Sequence, residues 1–405
     1  MITQLKEYIQ TRIEWRPFLF ALMYAMKVLG FVPLPMDAIV YGLLIVTALY
    51  FLSKGASCDR LTLALLLFIP LSISLASPNP VFRSWLRYGL FVILLIVVSP
   101  LLNTEVAREF RYKIMYVTLL CCTAIATVSF VGYFYDVNYM RNQYNGEMLD
   151  YLTNTKGTFG GLTTQSMLLS PISGIGVLTC TYFALTRERY RTLFYILVIM
   201  CAGSMLFAAS RSAVIATICG EMALFYFSSA DKSEFTKRIV AILFLGAITF
   251  PLWNSALDGI NAKNKGNITQ RLNPDSRSEK WKIRLAEFSD SPVWGIGFVA
   301  VSDKDNYNRV SGIIEPGSSW LAVLSMTGLV GFALFCTIII RACRRTLTAY
   351  TPRGALLGGL MVLVGVHMIG EGHIFSGGSY LCFLVWLTIG VCTDYTPDET
   401  SILEQ

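Results

Sequence analysis

The sequence predicts an all-α fold: a polytopic transmembrane helical bundle of about twelve spans with one long, partly helical outer loop. Three observations predict it. Of the 405 residues, 54% are hydrophobic and 15% charged, a balance rarely found in soluble domains. The apolar residues fall in continuous runs close to the roughly 17 to 25 needed to cross a bilayer as a helix. Lysines and arginines gather in alternate connections between those runs, as they do where basic segments stay cytoplasmic. Lipid offers the backbone no hydrogen-bond partners, so long apolar runs of this kind span as helices.

The first run, 17–34, follows Lys6, Arg12 and Arg16, carries Lys27 and breaks at Pro33-Leu34-Pro35. It lacks a small-residue cleavage site and reads as a retained anchor, not a signal peptide. Spans follow near 36–53, 61–77, 84–102 and 113–134, and lead into a second outer segment, 135–162. Four more run near 163–185, 192–209, 212–228 and 238–255. The long outer segment 256–317 then separates spans nine and ten, and 318–340, 354–370 and 379–393 complete the set. The whole chain, 1–405, reads as a single integral membrane domain.

With the N-terminus inside, the inner segments hold eighteen lysines and arginines, among them Lys54, Arg60, Arg108, Arg111, Arg187, Arg189, Arg191, Arg341, Arg344 and Arg345, against about five in the short outer loops. Both termini are therefore expected in the cytoplasm. Segment 256–317 is exempt from the count, because long loops translocate largely regardless of charge. The net charge of +7 is ordinary for such a protein and gives no reason to expect a nucleic-acid partner. Of ten cysteines, most lie within spans (Cys121, Cys122, Cys180, Cys201, Cys219) or near the inner side (Cys58, Cys343), and neither larger outer segment contains one. No disulfide framework follows, and no Cys or His cluster has the spacing of a metal site. No cofactor and no metal is expected.

Chemistry is then sought at the outer end. A 62-residue connector is too long to be passive, and loops of this size are usually functional or disordered. Its nine basic and eight acidic residues nearly balance, so it is no indiscriminate polyanion trap. Within it, Ser276 to Phe288 has helical character, with Arg277, Trp281, Arg284 and Phe288 recurring on one face. Two guanidiniums suit phosphate oxygens, and an indole offers a sugar ring an apolar platform. The same face also suits a surface helix resting its aromatics on the membrane interface.

Arg211 stands between two apolar spans in Ala209-Ser210-Arg211-Ser212-Ala213, where a charge is costly unless paired or functional. Arg83 and Arg87 hold the outer start of the fourth span, with snorkelling to headgroups as the alternative for all three. Lys27 and Glu221 lie within spans and read as a possible buried pair without chemistry. The only histidines, His367 and His373, flank Glu371 in a glycine-rich stretch at the outer end of the eleventh span. The glycines imply a tight or re-entrant turn, and a Glu and a His there are candidate general bases.

These parts resemble the superfamily of O-antigen ligases and O-antigen or capsule polymerases. The resemblance runs over roughly 155–335. It comprises Lys156-Gly157-Thr158-Phe159-Gly160-Gly161 before the sixth span, Ser210-Arg211-Ser212, and Arg277-x-x-x-Trp281 followed by Ser291-Pro292-Val293-Trp294-Gly295-Ile296-Gly297-Phe298. It closes with the helix from Ser318-Ser319-Trp320-Leu321 to Gly328-Leu329-Val330-Gly331. Where many members show His-Asn before that helix, this chain has Gly317-Ser318 preceded by Glu315-Pro316.

The resemblance implies a metal-independent, inverting glycosyltransferase acting on the periplasmic face of a bacterial inner membrane. Its donor would be an undecaprenyl-pyrophosphate-linked oligosaccharide and its acceptor another glycan. The flippase and chain-length regulator of the same route would be partners. Arg211, Arg277, Arg284 and Arg87 are the expected pyrophosphate ligands, Trp281 the sugar contact, and Glu315, Glu371 or His373 the stand-in for the absent family histidine. That absence favours a polymerase of surface polysaccharide over a ligase to lipid A-core. Twelve helices also describe flippases and secondary transporters, but these usually carry internal repeats and short outer loops, neither of which is evident here.

Overall fold

In a computed structural model, the residues described are 15–32, 35–55, 57–140, 159–229, 231–240, 276–302, 314–348 and 350–397. They form a multi-pass helical bundle. Among them, β-pairing is limited to two isolated bridges, Leu29 with Thr163 and Cys58 with Leu102.

The helices are α1 (Trp15–Val28), α2 (Met36–Ser53), α3 (Arg60–Ala76), α4 (Ser84–Val98), α5 (Glu105–Tyr133), α6 (Ser166–Thr186), α7 (Arg191–Phe207), α8 (Arg211–Ser228), α9 (Ser276–Asp290), α10 (Ser319–Leu347), α11 (Pro352–Gly370) and α12 (Tyr380–Asp394). Among the described residues, seven segments are long and apolar enough to cross a membrane: Met36–Ser53, Pro80–Val98, Glu105–Tyr133, Ser166–Thr186, Glu188–Phe207, Ser319–Leu347 and Pro352–Gly370. Arg60–Ala76 and Tyr380–Asp394 are shorter apolar helices. The expected ninth span, 238–255, and residues 256–275 and 303–313 of the long loop lie outside the described residues, apart from the helical stretch 232–240.

Several expected boundaries move, each for a local reason. The first helix stops at Val28 instead of running to residue 34, because Leu29 pairs with Thr163 and the Gly30 N–H donates to Leu162 O at 2.8 Å. Helix α4 stops at Val98, where the Ser99 hydroxyl turns back onto Leu95 O at 2.6 Å. Helix α5 starts eight residues earlier than the expected 113, with Thr104 as its N-cap accepting from the Ala107 N–H. The expected Lys27–Glu221 pair does not form: Lys27 bonds instead to Asp37 and to Gly378 O, all at the end of the bundle where α1 stops.

Helix α12 lies deep in the bundle, with Trp386 fully buried and its indole N–H donating to Ile374 O at 3.1 Å. Helices α8 and α11 pack closely at glycines. A Cβ on Gly220 would lie 2.9 Å from Gly359 O, and one on Gly359 would lie 3.0 Å from Gly220 O. Small residues of this kind let apolar helices pack by van der Waals contact where no hydrophobic force separates protein from lipid.

The end of the bundle opposite α9 is clasped by charge. Arg341 on α10 grips Asp59, the N-cap of α3, through two bonds of 2.6 and 2.8 Å, while the Thr62 N–H donates to the same carboxylate at 2.9 Å. Burial alone would push the Asp59 carboxyl up, yet these bonds hold it below its ordinary range. Arg111 and Asp394 form a buried pair beside it, with Arg111 also donating to Leu102 O at 3.0 Å. These clasps fix the helix ends relative to one another, so the far end has a rigid frame on which to build.

Candidate functional site

At the α9 end, segment 291–297 wedges into helix α10. Gly328 there takes φ 63° and ψ −168°, which breaks the helix. The wedge satisfies the freed backbone groups: Ile296 N–H donates to Ser325 O at 2.9 Å, Gly297 N–H to Met326 O at 3.1 Å, and Leu329 N–H to Pro292 O at 2.8 Å. From α3, the Ser72 hydroxyl donates to Trp294 O at 2.7 Å and lies 3.1 Å from Met326 O. Irregular backbone at such depth is tolerated only when packed in protein. The wedge therefore anchors the C-terminal side of α9 and fixes where its first turns reach.

Those first turns meet three other strands of chain. Helix α11 ends at Gly370, where a side chain has no room: its Cβ would lie 2.8 Å from Arg277 Nη1 and 2.9 Å from Ser212 Cβ. Glu371 then leaves the helix in extended conformation, φ −140° and ψ 138°. Its carbonyl accepts from both the N–H and the hydroxyl of Ser319, at 2.9 and 2.7 Å, and the same hydroxyl accepts from the His373 N–H at 3.0 Å. Gly317, with φ 73°, packs against Lys280, and its carbonyl accepts from Trp281 Nε1 at 3.1 Å.

The side chains converge on Glu371. Arg277 on α9 donates to its carboxylate as a salt bridge, and the Ser212 hydroxyl, from the first turn of α8, lies 3.4 Å from the same oxygen. Ser210 lies 3.3 Å from Ser212, oxygen to oxygen. Of the ionic partners, the guanidinium is the more open: 38% of the Arg277 side chain is exposed against 14% for Glu371. Burial, above all, raises the Glu371 carboxyl above its ordinary range, with Arg277 pulling it down, Glu315 pushing it up, and Ser212 pulling it down. His367 and His373 sit behind it with ring centroids 5.4 Å apart, both buried. His367 Nε2 and His373 Nδ1 have no hydrogen-bond partner, and burial holds His373 neutral, well below its usual range.

The residues singled out in the sequence thus divide. Arg277, Trp281, Glu315, Glu371 and His373 come together, and exposed Arg211 stands next to Ser212 at the start of α8. Arg284 does not join them. It is fully buried, bonded to Glu287 at 2.8 Å and to Ala300 O at 3.3 Å, while Glu287 accepts from the Ser302 N–H at 2.8 Å. One helical face therefore splits between an open guanidinium and a structural one, because the chain after α9 folds back over its middle. Arg87 is half-buried in the first turn of α4, a helix that packs through Phe91 on Phe298 and Phe375. His373 is enclosed beside Ser319, and Trp281 spends its N–H on Gly317, leaving its ring half-buried. Lys156, Gly157 and Thr158 lie outside the described residues; Gly160 and Gly161 of the same motif pack on Thr163 and Ser129.

Two partners had no individual signal in the sequence. Ser319, which pins the Glu371 turn, reads as one more residue of a helix start, and Asp37, which holds Lys27, as one residue in the first turn of the second span.

A family model described as O-antigen ligase matches residues 196–336. The match covers about a third of the chain and supports its resemblance to the O-antigen ligase and polymerase superfamily over that stretch. The match spans Arg211, Arg277, Trp281 and Glu315 and stops before Glu371 and His373. Comparison with curated proteins gives no match. The candidate spans support a multi-pass membrane protein, and the matched stretch is similar to a family of polysaccharide biosynthesis.

Proposed function

We propose that this protein is a polymerase of surface polysaccharide, an O-antigen or capsule, working at the periplasmic face of a bacterial inner membrane. It transfers a glycan from undecaprenyl pyrophosphate to a sugar hydroxyl of another lipid-linked repeat, with inversion. The observation that carries this reading is the pairing of Arg277 with Glu371. It joins the arginine of the family's Arg-x-x-x-Trp helix to a carboxylate at the end of α11, beside the Ser-Arg-Ser start of α8.

In the reaction the acceptor oxygen attacks the anomeric carbon, the bond from that carbon to the phosphate oxygen breaks, and the lipid diphosphate leaves with the electron pair. Charge grows on the leaving group, and positioned guanidiniums stabilise it in place. Arg277 and Arg211 take that role, with Arg87 as a further ligand from α4. Trp281 lines the sugar side, and Glu371, Glu315 or His373 receives the hydroxyl proton. Arg284 is assigned to structure, because its guanidinium is fully buried and bonded to Glu287 and Ala300 O. Proximity does the remaining work, since both substrates are tethered in one membrane plane.

The description of the matching family favours a second reading, a ligase that passes the glycan to lipid A-core. Deleting the gene separates them. Loss of a polymerase leaves single repeats on core or carrier, whereas loss of a ligase strands long chains on undecaprenyl pyrophosphate. Purified protein in detergent, without any gradient, is expected to lengthen the cell's own lipid-linked repeat; gradient-free inactivity with transport of that lipid across liposomes would make it a transporter.

A further inference from the structure

The Arg277–Glu371 pair has one open member and one enclosed member, and both are functional candidates of the same site. Glu371 is pinned through its own backbone: Ser319 binds its carbonyl twice, Gly370 is pressed by Arg277 and Ser212, and Gly372 is pressed by the Pro316 ring at 2.6 Å from where a Cβ would sit. The backbone that carries the carboxylate therefore stays where it is when the charge partner changes, and Ser212 remains beside the carboxylate oxygen. Arg277 approaches from a different element, α9, and keeps more than a third of its side chain exposed.

A diphosphate offers a guanidinium more charge and more acceptor oxygens than one carboxylate does. An anion arriving at the open side meets Arg277 before it meets Glu371. Resting on the donor assignment made above, we infer that Glu371 is the resting counterion of Arg277 and becomes the general base only when the donor's diphosphate takes the guanidinium. The other groups that face this carboxylate are Ser212 from α8, Glu315 from the segment before α10, and Arg277's second neighbour His367 on α11. None of them replaces the lost cation: Ser212 is neutral and Glu315 repels.

The exchange orders the reaction. With the donor absent, the carboxylate is held and the acceptor hydroxyl keeps its proton, so the site does not activate an acceptor or water idly. With the donor bound, Glu371 takes the proton from the acceptor hydroxyl as that oxygen bonds to the anomeric carbon, and the bond from carbon to phosphate oxygen breaks with its electron pair staying on the diphosphate, whose charge Arg277 stabilises. When the lipid diphosphate departs, Glu371 gives up the proton to water and re-forms the pair.

The test is equilibrium binding of farnesyl diphosphate, a short polyprenyl diphosphate, to the purified full chain in nanodiscs, alongside glycan output of cells whose only copy is the variant. Glu371→Gln removes the competitor and is expected to bind the diphosphate about tenfold tighter, while glycan output falls about a hundredfold or more. Glu371→Asp keeps a carboxylate and is expected to return towards wild type in both readouts. In an Arg277→Ala background, Glu371→Gln is expected to leave diphosphate binding unchanged, and tightening that persists there would overturn the exchange. If Glu371→Gln binds the diphosphate equally or more weakly, Glu371 merely holds Arg277 in place and the inference falls while the donor assignment stands. If output survives Glu371→Gln, it is not the base. If the wild type itself fails to bind the diphosphate, the donor assignment falls and takes the inference with it.

Discussion

Arg277 and Arg284 lie two helical turns apart on one helix, and their periodicity gives them one face and one expected role. The structure gives them opposite ones, because Arg284 meets Glu287 on its own helix while Arg277 meets a carboxylate 94 residues away. Local spacing was therefore legible and the distant partner was not: periodicity reports which residues share a face, not what lies across from it. Lys27 failed for the same reason, its partner Asp37 standing beyond a proline break while Glu221 only shared its depth in the membrane. Removing Arg284 strands a buried carboxylate, so Arg284→Ala is expected to destabilise the protein by about 3–5 kcal/mol. Thermal unfolding in detergent checks this, and an unchanged midpoint would contradict it. For Glu371 the pH dependence has a definite sign. Its carboxyl is raised, chiefly by burial, so it ionises only at a higher pH than an ordinary glutamate does. Activity that needs the ionised form then falls as pH drops through that raised value. Profiles of turnover against pH are expected to show an acidic limb above the usual carboxylate range, and Glu371→Gln is expected to abolish it along with most of the rate.

At the scale of elements, the decisive feature is the break in α10. The sequence predicts one continuous span over 318–340, because Gly328-Leu329-Val330-Gly331 continues an apolar run. Nothing local forces φ 63° on Gly328; the wedge 291–297 does, by placing Val293 O where a Cβ would stand, 2.3 Å away. Insertion of one loop into another helix leaves no periodic trace, which is why this break was invisible while the outlines of α2, α3, α8 and α11 were readable almost to the residue. Gly328→Ala is expected to cost about 1–3 kcal/mol in backbone strain alone, and to expel the wedge that seats α9. Activity should therefore fall without any change at Arg277 or Glu371 themselves. Proteolysis of residues 291–297 checks this: faster cleavage in the variant supports it, and unaltered cleavage with full activity contradicts it.

For the whole molecule, the two ends differ in chemistry. One is closed by the Asp59–Arg341 and Arg111–Asp394 clasps, and the other gathers Arg277, Glu371, Glu315 and the histidines. The asymmetry of lysine and arginine predicts that the clasped end faces the cytoplasm. Single cysteines at exposed Glu279 and exposed Lys54, in a chain otherwise free of cysteine, test that assignment with a membrane-impermeant maleimide on whole cells with a permeabilised outer membrane. Position 279 is expected to label and position 54 to stay protected; the reverse pattern would turn the molecule over and end the periplasmic reading. The fold class and the family resemblance were legible because bilayer thickness and a few spaced motifs write themselves into a linear sequence. The site was legible in its parts, and only the folded chain joins them. The measurement that bears most directly on the account is turnover of the lipid-linked repeat by purified Arg277→Ala. Loss of one guanidinium from the developing diphosphate charge is expected to slow it about a hundredfold or more with the fold intact. Turnover at the wild-type rate would contradict the claim that this arginine holds the leaving group.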